Sequence, residues 1–267
     1  FSSIDLFSSY WQLPLTDASK RMTAFSANQE SWQFTVLPFG IKTAVPAFSR
    51  LMSAVLSGLL GEQALSYLDD VIVYGPDVDS HFIMLGKVMK RFQEANLKIK
   101  LVKCQFFKKE LCFLGNIVNK DGIKPDPKKL DTVKNYPVPT NLEQVRSFVG
   151  FVGFYRQYID HFSQIASPLT AKKKKNTPFK WTPAHQKAFE ILRDKLLSDP
   201  ILIYPNFAET FFIASDASQD AIAAALLQER DGVLKPISYA SRTMISAERN
   251  YTVTEKEGLA LVYGLKK

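Results

Sequence analysis

The chain has 267 residues, which is long enough for two or more domains that each bury a core. Its hydrophobic fraction of 46% and charged fraction of 22% are those of an ordinary globular protein, and no apolar run reaches membrane-spanning length. The two cysteines argue against a disulfide framework and a zinc site, so we expect reduced core thiols in an intracellular protein.

The formal net charge of +8 is concentrated in one segment. Residues 87–175 hold 19 of the 34 Lys and Arg residues but 7 of the 26 Asp and Glu residues, so this segment carries +12 and the remainder −4. Localised positive charge suits a polyanionic partner, because Lys and Arg displace counterions from phosphates. A solvated basic surface that serves solubility is the alternative, and salt-sensitive binding distinguishes the two.

The chain opens with a strand pattern that ends in a carboxylate. Residues 1–10 contain a strand that we expect to end at Asp5. Two short strands over 22–25 and 32–37 and a helix over 46–59 are predicted next.

Two adjacent carboxylates interrupt the β-branched and aromatic run of residues 65–74. Asp is favoured in turns and depleted in strands, so this run predicts a hairpin with Asp69 and Asp70 at its tip. Like charges this close raise each other's pKa, and a divalent cation such as Mg²⁺, which takes carboxylate ligands, removes the cost. An ordinary polar turn is the alternative.

Three helices are predicted in the middle of the chain. The first covers 79–96, and the second begins at a capping-box pattern of Thr140 and Glu143. The third covers 183–198, with Thr182 as its cap and a proline in its first position.

The last part of the chain returns to strands. Strands are predicted over 210–214, 223–228 and 236–239, and a helix begins at Thr254. A carboxylate, Asp216, follows the first of these strands.

Several of these motifs together resemble the palm of a reverse transcriptase, and the chain resembles the polyprotein of gypsy-type LTR retrotransposons. The palm resemblance rests on Asp5, on the loop Leu37-Pro38-Phe39-Gly40 and on Tyr67-Leu68-Asp69-Asp70. It continues along essentially the whole chain through Lys103-Cys104-Gln105-Phe106, Phe113-Leu114-Gly115, residues 146–169 and Ser215-Asp216-Ala217-Ser218.

The resemblance implies an α+β fold. A palm over 1–118, with an antiparallel sheet and helices behind it, precedes a helical thumb over 119–180 and a connection over 181–208. Residues 209–267 are expected to form the truncated first half of an RNase H-like α/β domain. In this family a fingers subdomain precedes the palm, so we expect a fragment that polymerises poorly or not at all by itself.

The resemblance also implies roles for individual residues. The catalytic, metal-binding residues are Asp5, Asp69 and Asp70, which hold two Mg²⁺ ions, or Mn²⁺ in their place, for the transfer of dNTPs onto a primer 3′-hydroxyl. The nucleotide site comprises Leu6, Phe7, Ser8, Ser9, Tyr10, Phe39, Gly40 and Lys103. Primer and template contacts are Tyr67, Phe113, Leu114, Gly115, Arg146 and Arg156. The RNase H-like carboxylates are Asp216 and Glu257.

Some of these roles have structural alternatives. Tyr10, which would select deoxynucleotides sterically, is otherwise a core aromatic residue. Lys103 either protonates the leaving pyrophosphate or faces solvent, and the basic run 172–175 either contacts the duplex or is solvated.

The expected partners are an RNA template, a DNA primer, the RNA–DNA duplex and dNTPs, with no membrane and with the oligomeric state left open. The family implies an intracellular location, in cytoplasmic virus-like particles with nuclear access. A decayed or co-opted element that binds nucleic acid without catalysis is the second hypothesis. A nuclease acting through Asp216 and Glu257 is the third, and it needs ligands that this sequence lacks.

Overall fold

The computed structural model describes residues 1–170, 179–198 and 200–267. These residues fold into two compact units, Phe1–Phe113 and Leu114–Lys267. The basic run 172–175 lies outside the described residues. Within the described part, no helix is long and apolar enough to cross a membrane.

The first unit is built on a three-stranded antiparallel sheet with the order β1-β5-β4. A separate exposed hairpin pairs β2 with β3. The elements of this unit are β1 (Ser2–Asp5), α1 (Asp17–Arg21), β2 (Phe25–Ala27), β3 (Glu30–Trp32), α2 (Ala44–Val55), β4 (Ala64–Tyr67), β5 (Asp70–Val73), α3 (Val78–Glu94) and β6 (Glu110–Phe113).

The core of the first unit lies between this sheet and the helices α2 and α3. Phe48 and Met52 on α2 and Val88 and Phe92 on α3 are buried with Ile4 of β1 in one cluster. Full burial of one such side chain contributes about 1.5–3 kcal/mol. This core therefore fixes the two strands whose ends carry the paired carboxylates.

A buried polar pair joins β1 to α3. The Ser2 side chain is fully buried, and its Oγ lies 2.7 Å from His81 Nε2 and accepts from the Phe107 amide at 3.1 Å. Because burial and the nearby amino terminus lower the pKa of His81, its neutral ring is favoured. His81 Nδ1 is buried and has no hydrogen-bond partner.

Several boundaries in the first unit differ from the predicted ones. The strand pair is shorter than expected and turns at Asn28 and Gln29, both with positive φ. α2 begins at Ala44 rather than Pro46, since the first-turn amides of a helix have no helical acceptor and proline is tolerated there. The expectation of two core cysteines is wrong for Cys112, which is exposed.

The second unit combines a hairpin, a helical region and a second sheet. The hairpin pairs β7 with β8, and the second sheet is antiparallel with the order β11-β10-β9. The elements of this unit are β7 (Asn116–Asn119), β8 (Gly122–Pro125), α4 (Pro127–Lys134), α5 (Leu142–Phe154), α6 (Phe162–Thr170), α7 (Pro183–Leu197), β9 (Phe211–Ala217), β10 (Ala221–Arg230), β11 (Val233–Thr243) and α8 (Val253–Leu265).

The helices α4 to α7 share one core. The ring of Phe148 on α5 lies 4.6 Å, centroid to centroid, from the ring of Phe189 on α7, and both residues are buried. Leu192 and Leu196 of α7 belong to the same cluster as Leu130 of α4. The segments assigned from the sequence to a thumb and to a connection therefore pack together through α5 and α7.

The caps of α5 and α7 can be compared with those predicted from the sequence. α5 is capped by Asn141, whose side chain accepts from the Gln144 amide at 2.9 Å, so the prediction of Thr140 as the cap is wrong. Thr140 instead donates its amide and its hydroxyl to the Gln144 side chain. Thr182 is the N-cap of α7 as predicted, with His185 in the position that Glu or Gln usually occupies in a capping box.

An ion pair closes the end of β11 in the second sheet. Nη1 and Nη2 of Arg242 donate to Glu248, at 2.6 and 2.7 Å, and the Ile245 amide donates to the same carboxylate. These contacts hold the pKa of Glu248 at about 2, with the hydrogen bonds from Arg242 as the largest cause.

Candidate active site

Three carboxylates lie at one end of the first sheet. Asp5 is the last residue of β1 and the direct cross-strand partner of Asp70, the first residue of β5. Asp69 precedes it in the two-residue turn from β4, where Leu68 has a φ of 55°. The antiparallel register therefore brings together carboxylates that are 65 positions apart in the sequence.

Lys103 stands beside these carboxylates. Its Nζ donates to Asp5 Oδ2 at 3.3 Å, and the Asp5 side chain is 20% exposed. The pKa of Asp70 is raised, first by burial and then by the charges of Asp69 and Asp5, while Lys103 acts in the opposite direction. A single lysine thus offsets part of the repulsion among three acidic groups.

The donor set suits a hard divalent cation. Carboxylate oxygens are the protein ligands that Mg²⁺ prefers. Burial raises the pKa of Asp70 first, and the charges of Asp69 and Asp5 raise it further, so a cation bound here would offset a cost that Lys103 offsets only in part. In the described part of the chain, no group of three or more His, Cys, Asp or Glu side chains is arranged to hold an ion. The chemistry of the residues fits a metal, and the structure gives no coordination geometry.

Aromatic side chains line the segment that follows Asp5. The ring of Tyr10 packs edge-on against Phe39 at 5.3 Å and against buried Phe48 at 5.5 Å. Phe39 is exposed and also contacts the exposed ring of Trp11. Tyr10 and Phe39, both predicted as nucleotide-site residues, are thus in direct contact, and Tyr10 is half-buried between core and surface.

Gln12 holds this aromatic segment and was not identified from the sequence. Its side-chain amide donates to the carbonyls of Phe7 and Lys98 and accepts from the Lys98 amide at 2.6 Å. A lone glutamine in a loop carries no sequence signal for such a role, since its partner lies 86 residues away.

The other predicted residues of the nucleotide site differ in what they expose. Leu6 and Ser9 are buried, so their side chains are not exposed to a ligand. Phe7 is exposed, and Ser8 lies in the left-handed region with a φ of 46°. Gly40 has a φ of 87°, a conformation that favours glycine.

The predicted primer and template residues lie in both units. Tyr67 is exposed in β4 and Phe113 ends β6 in the first unit. In the second unit, Leu114 and Gly115 form a turn with φ of 50° and 78°.

The two arginines predicted to contact phosphate have different surroundings. Arg146 is exposed on α5. Arg156 donates to the Ser241 carbonyl and stacks over Phe162 at 5.6 Å, so part of its bonding capacity is used inside the unit.

The RNase H-like carboxylates lie on two elements of the second unit. Asp216 is inside β9, and its Oδ2 lies 3.0 Å from His161 Nε2. The other ring nitrogen of His161 lies 2.7 Å from Asp160. Glu257 is half-buried on α8.

Two protein families match separate parts of the chain. Residues 1–118 match the family described as reverse transcriptase (RNA-dependent DNA polymerase). Residues 181–267 match the family described as an RNase H-like domain found in reverse transcriptase.

Similar sequences come from transposons. The chain is 40% identical over 265 residues to the retrovirus-related Pol polyprotein from transposon 412 of Drosophila melanogaster, covering 99% of the chain and 21% of that relative. Identity is 37% to the Pol polyprotein from transposon gypsy of the same organism, with 100% of the chain and 27% of the relative covered. It is 30% to the transposon Tf2-3 polyprotein of Schizosaccharomyces pombe, with 100% and 20% covered. The chain thus spans about a quarter or less of these relatives.

Solved structures share the fold. A foamy viral protease-reverse transcriptase dRH in complex with double-stranded DNA superimposes with a TM-score of 0.87 and 26% identity, covering 99% of this chain and 46% of that one. The foamy viral enzyme in complex with an RNA/DNA hybrid gives a TM-score of 0.84 and 26% identity, covering 99% and 36%. The expectation of an α+β reverse-transcriptase fold is confirmed.

Proposed function

We propose that this chain, which belongs to the reverse transcriptase family of retrotransposon Pol polyproteins, carries the catalytic centre of an RNA-directed DNA polymerase. The observation that carries the proposal is the cross-strand pairing of Asp5 with Asp70, next to Asp69. The reaction is attack of a primer 3′-hydroxyl on the α-phosphate of a dNTP, with pyrophosphate as the leaving group. An RNA template, a DNA primer and their duplex are the proposed partners.

The three carboxylates would hold two Mg²⁺ ions, which supply charge stabilisation at the attacking and leaving oxygens. The protein's own contribution is placement, because phosphoryl transfer needs little covalent help from side chains. Tyr10 and Phe39 form the aromatic wall of the nucleotide site, with Tyr10 supported from behind by Phe48. Lys103 holds Asp5 and carries a proton that the leaving pyrophosphate can take.

The proposal is tested by primer extension on an RNA template with Mg²⁺, with duplex binding measured in the same samples. Asp69→Asn is expected to lower extension by at least about 10²-fold and to leave duplex binding within about twofold, since it removes metal-binding charge only. Asp17→Asn is the matched control, because Asp17 pairs with Lys20 on α1, outside the site. Extension is measured with the 267-residue chain and with a polypeptide extended at its N-terminus.

The comparison of variants separates the proposal from binding without catalysis. Equal extension by the wild type and Asp69→Asn would contradict the proposed catalytic role of the three carboxylates. Duplex binding without extension in both polypeptides would favour a co-opted or decayed element. Cleavage of the RNA strand that depends on Asp216 would instead point to the nuclease.

A further inference from the structure

The turn predicted to hold the primer end is conformationally demanding. Leu114 and Gly115 both have positive φ, 50° and 78°. For a residue with a Cβ such as Leu, the left-handed region is sterically unfavourable. The Leu114 side chain is 39% exposed, so its own burial offers limited compensation for this cost.

A side-chain relay holds the backbone of this turn. The amide of Asn116 donates from Nδ2 to the Leu114 carbonyl at 3.2 Å. Its Oδ1 accepts from the Tyr158 hydroxyl at 2.9 Å. Because Tyr158 supplies the proton to Oδ1, the amide of Asn116 is oriented with Nδ2 toward the turn.

Neighbouring groups bind the second residue of the turn. The Gly115 carbonyl accepts from the Asp126 amide at 3.3 Å and lies 3.5 Å from the Tyr155 hydroxyl. Tyr155 and Tyr158 are each 3% exposed and lie where α5 ends and a 3-10 turn begins. The turn is thus tied to the end of α5 from both of its residues.

The hydroxyl of Tyr158 distinguishes this arrangement from ordinary core packing. A buried hydroxyl destabilises the fold unless it is hydrogen-bonded, and a core aromatic residue needs none. Tyr158 gives its proton to the one side chain whose other end binds the Leu114 carbonyl.

We propose that Tyr158 and Asn116 are positioning residues, which hold the Leu114-Gly115 turn in the conformation that the primer end contacts. The inference rests on the proposed polymerase function, because only that function gives the turn a primer to hold. Tyr158 and Asn116 act through the turn and do not touch the reacting atoms.

The first test uses hydrogen exchange without nucleic acid. Tyr158→Phe removes one hydroxyl from the 267-residue chain, and Tyr204→Phe is its control, because the Tyr204 hydroxyl binds the Gly122 carbonyl at the other end of the same hairpin. In Tyr158→Phe, the peptide covering 113–117 is expected to exchange about 3–10-fold faster, the equivalent of one lost hydrogen bond. Equal exchange in the wild type and both variants would overturn the relay.

The second test measures primer binding in the extending polypeptide. Tyr158→Phe is expected to raise the KM for primer-template by about 3–10-fold, with the KM for dNTP unchanged, while Tyr204→Phe changes neither. Faster exchange with an unchanged primer KM would overturn the positioning role. If the wild type extends no primer at all, the proposed function fails, while the exchange measurement still decides whether the relay holds the turn.

Discussion

Arg242 and Glu248 make the stability of the second sheet depend on pH. The pKa of Glu248 is lowered to about 2 from an ordinary value of 4.5, because the folded state binds the charged carboxylate. For a carboxyl group with a lowered pKa, the stabilisation is present above the unfolded-state pKa and is lost as the pH falls through the folded-state pKa. The relevant window therefore runs from about pH 4.5 down to about 2.

Glu248→Gln is expected to lower the free energy of unfolding at pH 7 by about 1–2 kcal/mol, because it removes a charged acceptor from Arg242. The difference from the wild type should shrink as the pH falls below 4.5. Urea unfolding at several pH values measures it. Glu229→Gln, an exposed position on β10, serves as the control, and an equal loss in both variants would contradict the ion-pair explanation.

Single residues differ in how well the sequence reveals them. Asp69 and Asp70 stand out because two adjacent carboxylates in an apolar run repel each other, and this repulsion is unfavourable unless a cation offsets it. Their proximity to Asp5 depends on the tertiary structure, and the sequence indicated it only through family resemblance. Gln12 and Asn116 were missed, because an amide side chain acts through partners that only the folded chain brings near.

Helix caps show the same limit at the level of elements. The pattern of residues 140–143 predicted a cap at Thr140, while the folded chain uses Asn141, one residue later. Both side chains are good caps by type, so local sequence alone does not choose between them. Thr182 was predicted correctly as the cap of α7, since the following proline fixes the first helical position.

The cap of α5 gives a direct prediction. Asn141→Ala should lower the free energy of unfolding by about 1 kcal/mol, because the Gln144 amide loses its acceptor. Thr140→Ala removes a hydroxyl that only donates to an exposed side chain, so we expect a loss below about 0.5 kcal/mol. Thermal or urea unfolding of both variants decides, and a larger loss for Thr140→Ala would restore it as the cap.

Over the whole molecule, charge is divided between an acidic site and a basic segment. The segment 87–175 carries +12 against −4 elsewhere.

The fold class could be predicted because pattern and family resemblance agreed along most of the chain. The shared core of α5 and α7 could not, since Phe148 and Phe189 are 41 positions apart and both pack by shape rather than by a local pattern.

Duplex binding should depend strongly on salt, because the positive charge is concentrated in residues 87–175. We expect the logarithm of the binding constant to fall with the logarithm of salt concentration with a slope of about −4 to −7, the value for about five to eight phosphate contacts. Arg146→Gln, on the exposed face of α5, should make the slope shallower by about 1. Lys187→Gln, exposed on α7 outside the basic segment, should leave it unchanged, and a salt-independent affinity would exclude the electrostatic interface.

The buried Ser2–His81 pair has a consequence for how reliably the catalytic centre assembles. Side chains along a strand alternate between faces, so a slip of β1 by one residue would turn Asp5 away from Asp70. The same slip would move Ser2 away from His81 and leave both polar groups without water or each other. A misaligned β1 would therefore leave polar groups unpaired in the core at Ser2, three residues before Asp5. This energetic cost favours the correct alignment of the carboxylates without any bound metal or nucleotide.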